Sequence, residues 1–391
     1  MAERRLSVAL RAADAADTDQ PESLAARWCA WRNRLLAAPG FQRWAARFPL
    51  TRLVARRRAR RLFDLCAGFV YSQVLYACVR LEVPAALATG PRSTAELARH
   101  CDLEPAATER LLGAAAALGL VERLGDGRYV LGADGAVLAG SPAIAAMVAH
   151  HDMLYRDLVD PVALLRDATR PTTLERFWGY ARATHPAALA GAEVAGYSAL
   201  MAASQPLVAD EVLDACDLRG CRCLLDVGGG DGAFLAAVGA RHAKLELMLF
   251  DLPAVVARAA ERLAAAGLDA RASVHGGDFF STPLPRGADV VTLVRVLHDH
   301  DDAACARLLA NLRGALVPGA RLIVAEPMAA TPGAAPLGAA YFGFYLLAMG
   351  SGRARTPREL ARLLDTAGFA APRLAATRQP LQTQVLVAVA R

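Results

Sequence analysis

Residues 221–391 predict an α/β fold, a doubly wound and mainly parallel sheet with helices on both faces, preceded by a helical domain with a winged-helix outline. Three observations carry this expectation. From 221 onward, short apolar runs alternate with helical stretches in strand–helix order. A glycine-rich turn follows the first of those runs, at 228–232. Upstream, two capped helices lead into a short hairpin around Gly125-Asp126-Gly127.

The chain has 391 residues, 44 basic and 38 acidic, for a net charge of +6. At roughly 100–200 residues per domain this implies two or three domains with ample core. An apolar fraction of 55% with 21% charged residues excludes a disordered or collagen-like chain. No uninterrupted apolar run reaches the ~18 residues of a membrane span, and 338–350 is too short, so no integral membrane helix is expected. No long apolar segment opens the chain, so no secretory signal is expected. Eight scattered cysteines without a C-x-x-C pattern fit a reduced, cytoplasmic setting.

Four domains are expected. The first, 1–61, is a basic aromatic arm with 14 arginines, five acids and three of the four tryptophans. Such interleaving suits an anionic membrane surface, nucleic-acid phosphates, or a solvated helical arm packed on the protein. The second, 62–145, opens on an apolar helix at 62–83, whose apolar residues on nearly every face imply burial on several sides or in a subunit interface. Ser93 starts a helix over Thr94–His100, and Pro105–Leu118 gives the next. Leu120–Arg123 and Arg128–Leu131 form the hairpin. The Pro105–Leu118 helix presents alanines and leucines with Arg110 as its one basic residue, too little for reading DNA, so no nucleic-acid partner is expected.

The third domain, 146–220, is helical, with breaks expected at Pro161, Pro171, Pro186 and Pro206. The fourth, 221–391, carries strands at Cys223–Val227, Leu245–Asp251, Ser273–His275, Ala288–Arg295, Leu322–Glu326 and Gln384–Ala390. Its helices are Gly232–Ala240, Pro253–Ala266, Ala303–Leu316 and Pro357–Ala367.

Chemistry concentrates at the carboxyl ends of these strands. Gly228 and Gly230 let backbone approach a ligand at a helix N-terminus. Asp251 ends the second strand, where a carboxylate accepts both hydroxyls of a ribose. Gly228-x-Gly230-x-x-Ala233 also satisfies a loose nicotinamide pattern. Asp226 just before the glycines, and Asp278-Phe279 after the third strand to bracket an adenine, favour S-adenosylmethionine. His298, in RVLHDHDD at 295–302, suits a general base for a substrate hydroxyl. A metal reading of that cluster is disfavoured, because near-consecutive side chains on a tight turn rarely converge on one ion. Glu326, at the next strand end, is either an orienting acid for His298 or an ordinary strand-end carboxylate. The aromatic segment 341–349 reads as core or as an apolar wall for a hydrophobic acceptor.

DVGGGDG at 226–232, FDLP at 250–253, GDFF at 277–280, RVLHDHDD at 295–302 and VPGARLIVAE at 317–326 resemble the S-adenosylmethionine O-methyltransferases of the caffeate and acetylserotonin type. The resemblance covers roughly 62–391. It implies a Rossmann-like methyltransferase sheet with an N-terminal winged-helix dimerisation domain, and a homodimer. It places Gly228, Asp251, Asp278, Phe279 and Arg295 around the cofactor, with His298 as base and no metal. His300 stands where many members have tryptophan. Ala354 stands where plant members have a second acid, which leaves Glu326 as the expected orienting acid. Segments 40–75 and 145–166 are similar to bacterial hydroxyneurosporene or demethylspheroidene O-methyltransferases, which implies the 1-hydroxyl of an acyclic carotenoid as acceptor. It also implies a cytoplasmic enzyme that touches the inner membrane through 1–61. Methylation of a phenol or aromatic polyketide, and a methyl-donor-sensing regulator, remain the alternatives.

Overall fold

The computed structural model describes residues 23–181, 183, 186–380 and 383–391, and the first 22 residues of the basic arm lie outside them. The chain divides into two compact units, 1–74 and 75–391.

The first unit holds α1 (Leu24–Ala37), α2 (Pro39–Arg47) and most of α3 (Arg52–Arg80). Ser23 caps α1 by accepting from the Ala26 N–H, and Pro39 occupies the first turn of α2. The expected helix at 62–83 starts ten residues earlier, because the arginine run before it has high helix propensity and no breaker. Only Cys78 of α3 is buried, so the expected burial on several sides is not met among the described residues. By length and composition α3 is long and apolar enough to cross a membrane, which corrects the expectation drawn from uninterrupted runs. Asp64, Ser72 and Gln73 interrupt its apolar residues without making the helix polar.

The second unit opens with α4 (Val83–Ala88), α5 (Thr94–Cys101) and α6 (Pro105–Ala117), then the antiparallel hairpin β1 (Val121–Arg123) and β2 (Tyr129–Leu131). Ser93 and Glu96 form a reciprocal capping box at the start of α5. Helices α7 (Ala133–Ala139), α8 (Pro142–Asp157), α9 (Pro161–Arg166), α10 (Thr173–Phe177) and α11 (Gly191–Ala215) follow. Pro206 lies inside α11 rather than ending it. Burial of Val208, Ala209 and Val212 against the sheet outweighs the one backbone hydrogen bond that proline forgoes.

The sheet comprises β3 (Cys223–Val227), β4 (Glu246–Asp251), β5 (Ala272–Gly276), β6 (Val290–Val294), β7 (Arg321–Glu326), β8 (Phe369–Ala375) and β9 (Gln384–Ala390). Its order is β5-β4-β3-β6-β7-β9-β8, parallel except for β9, which runs antiparallel to both neighbours. The chain winds from β3 toward β5, returns, and winds the other way through β6 and β7. The reversal puts a crevice beside the carboxyl ends of β3 and β6.

Helices α12 (Ala233–Arg241), α13 (Pro253–Ala265), α14 (Asp302–Ala315), α15 (Phe342–Met349) and α16 (Pro357–Thr366) complete the unit. Leu225, Val227, Val291 and Leu293 face α14 and α16, whereas Leu224, Val290 and Val294 face α11, α12 and α13. Both faces are covered, which is why β6 is buried at every position. A third cluster joins α8, α9, α10, α11 and α15 through Leu154, Leu164, Trp178, Tyr197, Tyr345 and Met349. Sequence reading missed β8, whose apolar residues are interrupted by Pro372 and Arg373 at a bulge.

Candidate active site

The turn after β3 is built by glycine. Gly228, Gly230 and Gly232 have φ of +70°, +61° and +82°. A Cβ on Gly228 would come within 2.7 Å of Val296, whereas at Gly230 it would meet open space. Gly228→Ala is therefore expected to lose about 1–3 kcal/mol of stability, read by chemical denaturation.

Asp251 ends β4 beside this turn. Its Oδ2 accepts from the Gly230 N–H at 2.7 Å and its Oδ1 from the Leu252 N–H at 2.6 Å. An ionised carboxylate offers about four lone-pair sites, so acceptor capacity remains. Burial pushes its pKa up to about 6. Asp226 is fully enclosed, and Thr292 Oγ1 donates to its Oδ1 at 2.6 Å. Burial, with help from Asp251, pushes Asp226 up to about 7.

After β5, Asp278 Oδ1 accepts from the Phe280 N–H at 2.9 Å, which shapes the turn that presents Phe279. Phe279 and Phe280 meet edge-on, and His300 meets both rings edge-on at 5.6 and 5.1 Å. Burial lowers the His300 pKa, so this ring is neutral at pH 7. Arg295, at the end of β6, adopts φ +58°. Its guanidinium donates to Ser204 Oγ, the Met201 carbonyl and Gln205 Oε1 on α11. Burial lowers its pKa to about 10, which leaves it charged at neutral pH.

These residues line one cavity at the carboxyl ends of the strands, together with Tyr180, Tyr197, Ser198 and Asp231. Gly228, Gly230, Asp251, Asp278, Phe279 and Arg295 are thereby brought together as sequence reading expected. Asp231, which that reading did not single out, is held by Arg262 at 2.7 Å.

His298 lies on the next turn and is buried. Its Nε2 is 3.1 Å from Asp299 Oδ1, while its Nδ1 is 3.8 Å from Glu326 Oε1. Glu326 Oε1 instead accepts the His298 backbone N–H at 3.1 Å. The expectation of Glu326 as sole orienting acid is corrected: Asp299 is nearer the ring, and its Oδ2 accepts from Tyr180 Oη at 2.7 Å. Burial alone would lower the His298 pKa, but the Asp299 and Glu326 carboxylates outweigh it and hold the ring above its ordinary value.

His298 faces a second cavity of about 450 Å³, within the ~300–1,000 Å³ of small-molecule pockets. Its wall is mainly apolar, from Ile144, Met147, Val148, Leu207, Phe342 and Met349. The 341–349 segment thus does line a pocket, as well as packing in the core. Trp178, Met201, Arg295 and Asp299 border both cavities. Tyr345 Oη accepts from Trp178 Nε1 and hydrogen-bonds His150 Nε2, both at 2.8 Å, which fixes the shared wall.

Arg355, fully buried, clamps the turn that carries His298. It donates to the carbonyls of Leu297 and His300 at 2.8 and 2.7 Å and pairs with Asp302. Arg355→Met is expected to destabilise the protein by about 2–3 kcal/mol, seen as a lower Tm, and to lower kcat by displacing His298. Gly352 packs so closely that a Cβ there would lie 2.1 Å from the His298 carbonyl oxygen. Among the described residues, no three His, Cys, Asp or Glu side chains converge as a metal site.

Residues 155–370 match the O-methyltransferase domain model, and 63–140 match the O-methyltransferase dimerisation domain model. The chain belongs to the S-adenosylmethionine-dependent O-methyltransferases. The enzyme is 46% identical to demethylspheroidene O-methyltransferase of Cereibacter sphaeroides, over 91% of this chain and 93% of that protein. It is 35% identical to acetylserotonin O-methyltransferase of Mus musculus, over 83% of this chain and 87% of that protein. Human N-acetylserotonin methyltransferase in complex with S-adenosylmethionine superposes with a TM-score of 0.71 at 26% identity, over 85% of this chain and 97% of that one. The dimerisation domain supports a homodimer.

The first cavity of the enzyme fits its methyl donor. Ser198 Oγ and Asp226 Oδ2 are buried there without a hydrogen-bond partner. Asp251 retains acceptor capacity for ribose hydroxyls, and Phe279 and His300 offer flat apolar faces for a base. The site residues that sequence reading missed are Asp299 and Arg355. Asp299 was visible in the His-Asp-His run, but its bridge between Tyr180 and His298 spans 119 residues of chain.

Proposed function

We propose that the enzyme methylates the 1-hydroxyl of an acyclic hydroxycarotenoid, with His298 as general base. The observation that carries this is the mainly apolar cavity against His298, which shares Trp178, Met201, Arg295 and Asp299 with the donor cavity. The demethylspheroidene relatives, at 46% and 44% identity, agree with it.

S-adenosylmethionine supplies a methyl group on a sulfonium, open to in-line attack. The apolar wall from α8 and α15 holds the isoprenoid chain and excludes water from the reacting oxygen. Asp299 yields His298 Nε2 to the acceptor hydroxyl and keeps its bond to Tyr180. Glu326 supports the imidazolium that forms. The new C–O bond forms as the sulfonium C–S bond breaks, and the hydroxyl proton passes to His298. A tertiary alcohol is a far weaker acid than histidinium, so His298 takes the proton late and positioning supplies most of the rate.

The deciding experiment is a mass-spectrometric assay with S-adenosylmethionine, liposomes carrying a 1-hydroxy acyclic carotenoid, and a panel of soluble phenols. A methyl increment on the carotenoid is the expected result. Increments on the phenols alone would replace the substrate and keep the enzyme class.

A further inference from the structure

Ser23 to Arg61 contains eleven arginines and no aspartate or glutamate. All eleven arginines are exposed. Among the described residues only Arg60 meets a carboxylate, Asp64, at 3.8 Å. Trp28, Trp31, Trp44 and Phe48 are exposed as well, while Phe41 is half-buried. Trp28 and Trp31 stack at 4.8 Å on α1, and Trp44 stacks with Phe48 at 5.1 Å at the end of α2. Leu24, Trp28 and Trp31 fall at i, i+4 and i+7 on one face of α1. Arg43, Arg47, Trp44 and Phe48 line one shallow groove of α2.

An arm packed on its own protein would bury its indoles and pair some of its charge. Among the described residues of its compact unit, 1–74, the indoles stay exposed and Arg60 with Asp64 is the one ion pair. The matched dimerisation domain begins at residue 63, within α3, and leaves 23–61 outside it. Uncompensated positive charge beside exposed indoles matches one occupant, an anionic bilayer: guanidinium groups meet the phosphates and indoles sit at the interface. The shared chemistry with nucleic acid ends at the indoles and leucines, since Leu24, Leu50 and Leu53 stand exposed among the arginines with only an apolar phase to receive them.

We propose that α1, α2 and the arginine-rich start of α3 form a docking surface for anionic lipid bilayers, with α1 lying in the interface. The proposal stands whether the acceptor is a carotenoid or a phenol.

The test uses the full-length enzyme in co-sedimentation with phosphatidylcholine vesicles, with and without phosphatidylglycerol. Binding is expected only to vesicles containing phosphatidylglycerol, and at about 0.5 M salt it is expected to be lost through screening. Tryptophan fluorescence should shift to the blue on binding. A triple Arg56→Gln, Arg57→Gln, Arg58→Gln variant should bind at least about ten-fold more weakly. Trp28→Ala with Trp31→Ala should lose most of the blue shift. S-adenosylhomocysteine affinity, measured by calorimetry, reports folding and should be unchanged in both variants. Equal binding to neutral vesicles, no vesicle binding, or binding to duplex DNA alone would each overturn the proposal. So would membrane association that resists both salt and alkaline carbonate, which would instead make α3 a spanning helix.

Discussion

Replacing His298 by alanine is expected to lower kcat by about 10²–10⁴-fold, the range of a positioned general base. The donor affinity should hold, because His298 lines the acceptor cavity and not the donor cavity. S-adenosylhomocysteine binding therefore separates a lost base from a collapsed site. The pH profile gives the same residue a second signature. A general base at His298 would work as neutral imidazole, and two carboxylates hold the ring's pKa above the ordinary histidine value. Activity should thus fall as pH drops through a point above ~6.5. Asp299→Asn removes the nearer carboxylate, so that limb should move to lower pH, while loss of the Tyr180 contact lowers kcat. Full turnover in His298→Ala with donor bound would remove the base role and leave positioning alone.

Asp251→Ala is expected to weaken S-adenosylhomocysteine binding by about 100-fold or more, from loss of two charge-assisted hydrogen bonds to ligand at ~1.5–3 kcal/mol each. The substitution also strips the Gly230 and Leu252 N–H groups of their acceptor, so the glycine turn loses its brace. Calorimetric titration across pH checks the mechanism. Burial has pushed the Asp251 carboxyl up to about 6, so protonation removes its acceptor capacity as pH falls through that value. Wild-type affinity should then decline below about pH 6, and the Asp251→Asn variant should show little of that decline. A wild-type affinity flat from pH 7 to about 5 would show that the carboxylate does not contact the donor.

The strand–helix alternation from 221 to 326 was legible because its buried strands carry apolar runs and its helices open on glycine, proline or aspartate, whereas α15, with no side-chain cap, was not. Elements that rest on tertiary burial were not. Pro206 reads locally as a break, and only packing of Val208 and Val212 carries α11 through it. The strand β8 is polar where it bulges, and pairing with β9 is what makes it a strand. The donor cavity was legible because its glycines and acids sit at strand ends within short motifs. Of the environment of His298 only Glu326 was legible, because Tyr180, which bonds Asp299 from before α11, and Arg355, before α16, come from distant segments.

By itself the sequence determined the fold class and the glycine turn after β3, and it singled out His298 as the candidate base, since backbone freedom, strand-end position and ionisable chemistry are local properties. Tertiary structure alone decided which carboxylate meets the imidazole, that Arg355 holds its turn, and that Cys78 is the one residue of α3 buried among the described residues. Those depend on burial and on distances across the chain, which no local pattern encodes.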